Sequence, residues 1–245
     1  MRHGSNEGAA DILIPVRNEY ASTRALLEDI YRYTDSPFHI YIIDNASTDE
    51  TVDLHKIYTR NITIVRNRQS RGWSGAINQG IQTGSNPFLV FMKNDLELAH
   101  GWLRNMIAFL NTHPRIAAVG PLNSNNHNWQ GVDQVREKLV AQMPHFFTED
   151  VHERNRILQY HFPDTGILID GALAFFCTAL TRRAVDQVGL LSDAGGDDSA
   201  DYCRRLRKAG YVLGLALDTY MVSGVEIGPK PAQTTLRRNA MRRRA

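Results

Sequence analysis

The chain has 245 residues, 42% of them hydrophobic, and a formal net charge of +2, which is enough apolar content to bury a substantial core in one large α/β domain. That near-neutral balance makes no general case for nucleic acid, and no apolar run approaches the ~20 residues of a membrane-spanning helix. Two cysteines, Cys177 and Cys203, are too few for a disulfide framework and lack metal-ligand spacing. The opening MRHGSNEGAA has no apolar signal-peptide core, so residues 1–10 are expected to form a flexible end and the protein to be soluble and cytoplasmic.

From residue 11 the chain alternates strand and helix. DILIPV (11–16) reads as a buried strand, and ALLEDIYRY (25–33) as a helix with caps at Ser22 and Thr23. FHIYII (38–43) is a strand that runs into Asp44 and Asn45. The three-residue offset between Ser47 and Glu50 is that of a capping box and predicts a helix to about Tyr58, with Ser47 and Asp49 as its caps. ITIVR (62–66) is a strand, SGAINQGIQ (74–82) a small-residue helix and FLVFM (88–92) a strand. A helix from Trp102 to Leu110 and the strand IAAVG (116–120) follow. Such alternation predicts a Rossmann-like, mainly parallel sheet with helices on both faces. The pattern fails from Pro121 to Thr165, where a helix over Val132–Val140 is the one regular feature, and an irregular insertion of this length is expected to face substrate. Regularity returns at ILIDGALAFFCTAL (167–180), then come a helix to Val188, the acidic stretch GGDDSAD, a helix at 201–210 and finally YVLGLAL (211–217).

Three loops fall at strand ends on one edge of this sheet: the one after Val16, the one over Asp44–Asp49, and the one over Asn94–Glu97. Backbone N–H groups at such turns bind phosphate, and carboxylates or amides there accept hydrogen bonds from a base or ribose. In FLVFMKNDLE an apolar run stops at Asn94, Asp95 and Glu97, oxygen donors that suit a hard cation such as Mg²⁺ or Mn²⁺ better than zinc. Asp95 is the expected metal ligand, and the cation would hold a diphosphate; the plainer alternative is a polar turn with Asp95 capping the next helix. GxGxxG and GxxxxGK[ST] are both absent, which takes support from NAD binding and ATP hydrolysis.

ILIPVRNE (12–19), IIDNASTDET (42–51), RGWSGAINQGI (71–81), KNDLE (93–97) and DYCRRLRKAGY (201–211), with GALAFF and VGLLSD between them, resemble the family 2 glycosyltransferases of the GT-A fold over roughly residues 11–217. The resemblance implies a single GT-A domain over 11–223, with a nucleotide-sugar-binding half (11–120) and an acceptor-binding half (121–223), followed by a basic tail (224–245). It further implies inverting transfer of a sugar from a nucleoside diphosphate, UDP or dTDP favoured, to the hydroxyl of a glycan or glycoconjugate acceptor, with a divalent cation (Mn²⁺ or Mg²⁺) as cofactor, in surface polysaccharide or glycoconjugate synthesis. Carried over position by position, it puts Pro15, Arg17 and Glu19 around the nucleotide, Asp44 and Asn45 at the base, Asn94 at ribose or phosphate, Asp95 on the metal, and Asp198 as general base. Asp201 and Arg205 match two further positions, although at helical spacing they could simply pair with each other. Gly72, Gly75 and Asn78 would shape the donor pocket by letting a helix approach the sheet, and Trp73 would either stack on sugar or base or pack at the rim.

The chain departs from the family pattern at Lys93, where Asn or Asp is commoner, at Ser199, which replaces a second acid, and at Ser223, near where a histidine is often found. A nucleotide-sugar-binding relative without activity, acting as a partner subunit, is the alternative these departures leave. Arg237, Arg238, Arg242, Arg243 and Arg244 crowd the end of the chain and offer a peripheral contact to anionic membrane.

Overall fold

The computed structural model describes residues 8–124, 130–131, 150–192 and 198–224. In order, these form β1 (Ala10–Val16), α1 (Tyr20–Tyr33), β2 (Phe38–Asp44), a 3-10 turn (Glu50–Asp53) running into α2 (Leu54–Ile57), β3 (Ile62–Arg66), α3 (Gly72–Thr83), β4 (Phe88–Met92), β5 (Leu96–Glu97), α4 (Trp102–Thr112) and β6 (Ile116–Asn123). The second part holds α5 (Val151–His161), β7 (Gly166–Ile169), β8 (Cys177–Thr181), α6 (Arg182–Val188), α7 (Asp198–Lys208) and β9 (Val212–Ser223).

One sheet runs through both parts in the order β3-β2-β1-β4-β8-β6-β9-β5, with β7 also on β9. The pairs β3–β2, β2–β1, β1–β4 and β6–β9 are parallel, whereas β8 enters antiparallel between β4 and β6. Two antiparallel steps restore direction, so β1, β2, β3, β4, β6 and β9 all end at the same edge. Alternation along each strand divides the core into two layers. Ile12, Ile14, Val90 and Met92 join α1 and α4 on one face. Leu13, Leu89 and Phe91 join α3, α5, α6 and α7 on the other.

A crevice opens between β1 and β4. Their ladder ends at Leu13–Phe91, while β1 stays paired to β2 as far as Val16–Asp44. The backbone groups of Ala10 and Val16 face β2, because Ala10 N–H donates to Pro37 and Val16 C=O accepts from Asn45 N–H. Pro15, two residues past the last ladder pair, therefore faces the β4 side, where it has no N–H to leave unpaired. At the far end of β1 the buried Asp11 carboxylate is paired with Arg182 (2.9 Å) and accepts from the side chain of Asn86 (2.7 Å).

Strand β9 carries the other irregularity. Between the pairs Pro121–Ala216 and Leu122–Tyr220 it holds three residues, Leu217, Asp218 and Thr219, with no partners in β6. An odd insertion exchanges the faces of a strand. Leu213, Leu215 and Leu217 thus share a layer with Tyr220, and Ala216 with Met221. The carboxamide of Asn155 on α5 stands in for a neighbouring strand, donating to Tyr220 C=O (2.6 Å) and accepting from Tyr220 N–H (2.8 Å). Past the bulge β9 reaches β5, where Ser223 pairs with Leu96, and Gly224 N–H donates to Asp95 C=O (3.2 Å).

Several expected boundaries move. Helix α1 starts at Tyr20, so Ser22 and Thr23 lie within it and cap nothing. Asp49 rather than Ser47 caps the turn after β2, accepting from Thr51 N–H (3.1 Å), because the Ser47 hydroxyl is engaged elsewhere. The regular stretch expected over 167–180 holds two strands separated by a loop. In the irregular segment, β6 continues to Asn123 and α5 forms unannounced; the helix expected over Val132–Val140 lies outside the described residues, as do residues 1–7 and the arginine tail.

Asp218, 2% exposed, is raised from about 3.8 to about 6 by burial, against the N–H of Asp164 (3.0 Å) that favours its charged form. With a folded-state value above the unfolded one, its contribution to stability is present below about pH 3.8 and is lost as pH rises through about 6, an effect of at most about 3 kcal/mol. Asp218→Asn should therefore raise stability at pH 7.5 and flatten its decline between pH 4 and 7, measured by urea denaturation across that range.

Candidate functional site

The three loops expected to converge do meet, through hydrogen bonds that hold one of them in a strained form. Asn18 and Glu19, just after β1, have left-handed backbones (φ 61° and 63°), a region that costs a non-glycine residue about 1–2 kcal/mol. The loop after β2 supplies the compensation. Asn18 N–H donates to Ser47 Oγ (2.8 Å), Thr48 N–H to Asn18 Oδ1 (2.8 Å) and Tyr20 N–H to Asp49 Oδ2 (3.0 Å). Burial works to raise the Asp49 carboxyl, yet its hydrogen bonds from Thr51 and Tyr20 outweigh that and hold it below the usual carboxylate range. The third loop closes the ring: Asn94 Nδ2 donates to Glu19 Oε2 (3.1 Å) and Thr23 Oγ1 (3.0 Å). Pro15 and Glu19 thus stand at the crevice, with the exposed Arg17 and Lys93 on its rim.

Some site residues spend their polar groups inside the fold. Asp44 is buried, one oxygen accepting from Ser47 N–H (2.7 Å) and the other 3.8 Å from Arg66. Asn45 is engaged at both ends of its amide: Nδ2 donates to Gly72 C=O (3.0 Å), and Oδ1 accepts from Asn67 (3.1 Å) and Arg71 N–H (3.3 Å). These bonds pin the entry to α3, where Gly72 has φ 68°. The close approach of α3 to the sheet depends on Gly80, where an added Cβ would lie 3.0 Å from Leu13 and 3.2 Å from Ile43. Asn78 grips the chain leading towards α7, donating to Leu191 C=O (2.9 Å) and accepting from Leu191 N–H (2.8 Å).

Other site groups are left unsatisfied. Asp95 Oδ1 is buried without a hydrogen-bond partner, and so is Trp73 Nε1. A buried carboxylate oxygen without a donor is costly, and a cation is what repays that cost best. Among the described residues no group of three or more His, Cys, Asp or Glu is assembled for a metal. A lone carboxylate oxygen of this kind would suit a hard divalent ion of the Mg²⁺ or Mn²⁺ type, with Asp95 as the residue to hold it. Trp73 packs against Phe175 (5.9 Å) and edge-on against Phe91 of β4 (6.4 Å), tying the first turn of α3 to the strand that leads to Asp95.

Asp198 opens α7, and its carboxylate accepts from the hydroxyl of Ser74, the residue after Trp73. A carboxylate 124 positions away is thereby brought onto the same first turn of α3. Asp201 pairs with Arg205 (3.1 Å), whose guanidinium also donates to Val188 C=O (3.1 Å) and Leu190 C=O (2.7 Å) and so anchors α7. Asp197 lies outside the described residues, and Ser199 sits in the first turn of α7. Ser74 and Asn67 escaped sequence reading, since a serine in a small-residue helix carries no mark of a partner so remote in sequence.

A model described as Glycosyl transferase family 2 matches residues 11–188. A PGL/p-HBAD biosynthesis glycosyltransferase of Mycobacterium tuberculosis is 31% identical over 127 residues, covering 49% of this chain and 50% of that protein, so the chain spans about half the length of this relative. In fold the chain is similar to a mannosyltransferase from Pyrobaculum calidifontis in complex with GDP-Man and Mn²⁺, with a TM-score of 0.63 at 19% identity over 89% of this chain and 57% of that one. It is similar also to GalNAc-T7 with UDP, GalNAc and Mn²⁺, with a TM-score of 0.66 at 14% identity over 90% and 44%.

The Asn78 clamp makes a prediction independent of any ligand. Asn78→Leu leaves both backbone groups of Leu191 buried and unpaired, and should cost about 2–4 kcal/mol in urea denaturation. An unchanged midpoint would mean that the clamp does not hold the segment before α7.

Proposed function

The chain belongs to glycosyl transferase family 2, and on that premise we propose that it transfers a sugar from a nucleoside diphosphate to an acceptor hydroxyl, with inversion at the anomeric carbon. The observation that carries this reading is the buried, unpartnered Oδ1 of Asp95 beside the crevice between β1 and β4, the topological switch point of the sheet. The nucleotide would lie over the ends of β1, β2 and β3, against Pro15, Arg17, Glu19, Asp44 and Asn45, with Gly72, Trp73, Asn78 and Asn94 shaping the place where diphosphate and sugar sit. Asp44, Asn45 and Asn78 would act by holding loops, since their polar groups are already engaged. Basic side chains on the rim favour a dianionic ligand. Residues 11–120 would then form the nucleotide half and 121–223 the acceptor half.

In the transfer, the acceptor hydroxyl attacks the anomeric carbon as the bond to the diphosphate oxygen breaks on the opposite face. Asp198 takes the hydroxyl proton, with Ser74 fixing the orientation of its carboxylate. Asp95 would hold the divalent cation, which when bound supplies charge neutralisation for the departing diphosphate. The solved structures of similar fold hold UDP in one case and GDP-Man in the other, and surface polysaccharide or glycoconjugate synthesis is the pathway class proposed, beside a relative named for PGL/p-HBAD biosynthesis.

Calorimetric titration of UDP, dTDP and GDP with Mn²⁺ and with chelator is the direct test. One of them should bind in Mn²⁺ and at least about tenfold more weakly in chelator or in Asp95→Ala. Asp198→Asn should keep donor affinity within about twofold and lower transfer by about 10²–10⁴-fold. Full activity in that variant would remove Asp198 from the role of base.

No helix among the described residues is long and apolar enough to cross a membrane. The arginines at 237–244 would supply a peripheral contact instead, and removing residues 237–245 should abolish flotation with anionic liposomes. Equal flotation of the two forms would count against that contact.

A further inference from the structure

Strand β4 runs out into Lys93, Asn94 and Asp95, three residues whose side chains are put to different uses. Lys93 N–H donates to Phe176 C=O (2.8 Å), which carries the β4–β8 ladder one register past Met92–Cys177 and keeps Lys93 in the alternation of the strand. Met92 belongs to the layer with α1 and α4, and Phe91 to the layer with α3 and α7. Lys93 therefore stands on the face of Phe91, which packs against Trp73 of α3 (6.4 Å) and Tyr202 of α7 (6.3 Å). On that same face the hydroxyl of Ser74 meets Asp198. Asn94 goes the other way, to Glu19 and to Thr23 of α1.

The ammonium of Lys93 is not spent inside the fold. The residue is exposed, and among the described residues it enters no ion pair. Along the chain its nearest carboxylate is that of Asp95, whose Cα lies at most about 7 Å away. Yet Asp95 Oδ1 is buried without a partner, so the two opposite charges are close and are not used on each other. A ligand that engages both must accept from an ammonium and share a divalent ion with a carboxylate, and a phosphate does both. Lys93 is at the β4 side of the crevice, with β1, β2 and β3 beyond it in that order. Of the two phosphates of a nucleotide lying over those strands, the one farther from the nucleoside would be the nearer to Lys93.

We propose that the Lys93 ammonium is a fixed counter-charge for the sugar-bearing phosphate of the donor, acting beside the divalent ion that Asp95 would hold. The proposal rests on the glycosyl-transfer reading. In the transfer, the acceptor oxygen bonds to the anomeric carbon and its proton passes to Asp198, while the bond to the phosphate oxygen breaks and leaves its electron pair on that oxygen. Lys93 keeps its protons throughout and neutralises part of the charge that collects on the departing diphosphate.

Replacing an exposed, unpaired side chain should spare the fold, so Lys93→Met and Lys93→Arg should melt within about 2 °C of the wild type. The test is calorimetric titration in Mn²⁺ with UDP, dTDP and GDP and with UMP, dTMP and GMP. Lys93→Met should weaken the diphosphate that binds best by at least about fivefold, and the matching monophosphate by less than about twofold. Lys93→Arg, which keeps the charge, should recover most of that loss. Raising NaCl from about 50 to about 500 mM should narrow the gap between wild type and Lys93→Met, since the missing contact is a charge at the protein surface. Equal diphosphate affinity in wild type and Lys93→Met would overturn the proposal. So would an equal loss for mono- and diphosphate, or a loss as large in Lys93→Arg as in Lys93→Met. Should the wild type bind none of the six nucleotides in Mn²⁺, the glycosyl-transfer reading itself would fall, whereas binding that both variants leave unchanged would remove this proposal alone.

Discussion

The site depends on the parting of β1 from β4. Their ladder stops at Leu13–Phe91, and two residues on, Pro15 presents to the gap a backbone position that has no N–H to satisfy. An ordinary residue there would have turned a backbone N–H towards β4 past the end of the ladder, a donor that would need a partner. Because the gap exists, the chain leaving β1 turns through two left-handed residues, and the loops after β2 and β4 come close enough to hold that turn in place.

Around this gap the polar side chains divide by use. The amides of Asn45, Asn78 and Asn155 are engaged at donor and acceptor alike, each fastening a segment that has no ladder of its own: the entry to α3, the approach to α7 and the bulge of β9. Such bonds cost little net energy to make and much to lose, which rigidifies the loops without a larger core. Against that fully paired background, the unpaired atoms of Asp95, Trp73 and Asn123 stand out. Two of those residues share the surroundings of β4, the third ends β6, and all belong to the part of the fold where the parallel strands stop.

Strand β9 shows how a distant irregularity serves the same place. Its three-residue bulge exchanges the faces of the strand, so that Tyr220 and Met221 each enter the proper layer and the strand end arrives beside β5 and Asp95. The cost is Asp218, carried into the interior with a raised carboxyl and the backbone N–H of Asp164 for a neighbour. Stability is given up near neutral pH so that Ser223 and Gly224 finish against the loop that carries Asp95.

The strands β1 to β4, the helices between them and the shared edge where they end were all legible in the sequence, because apolar periodicity is a local property and parallel strands joined by helices must end together. The ordered motifs were legible too, and with them the family. Caps were less so: Ser47 has the spacing of a capping box, yet its hydroxyl serves Asn18, a partner 29 positions away that no local pattern announces. The same limit hid the contact of Ser74 with Asp198, the clamp of Asn155 on Tyr220 and the isolation of Asn123. Whether an amide is spent or free depends on which groups packing brings within about 3 Å of it, and for residues far apart in the chain only the tertiary structure decides that.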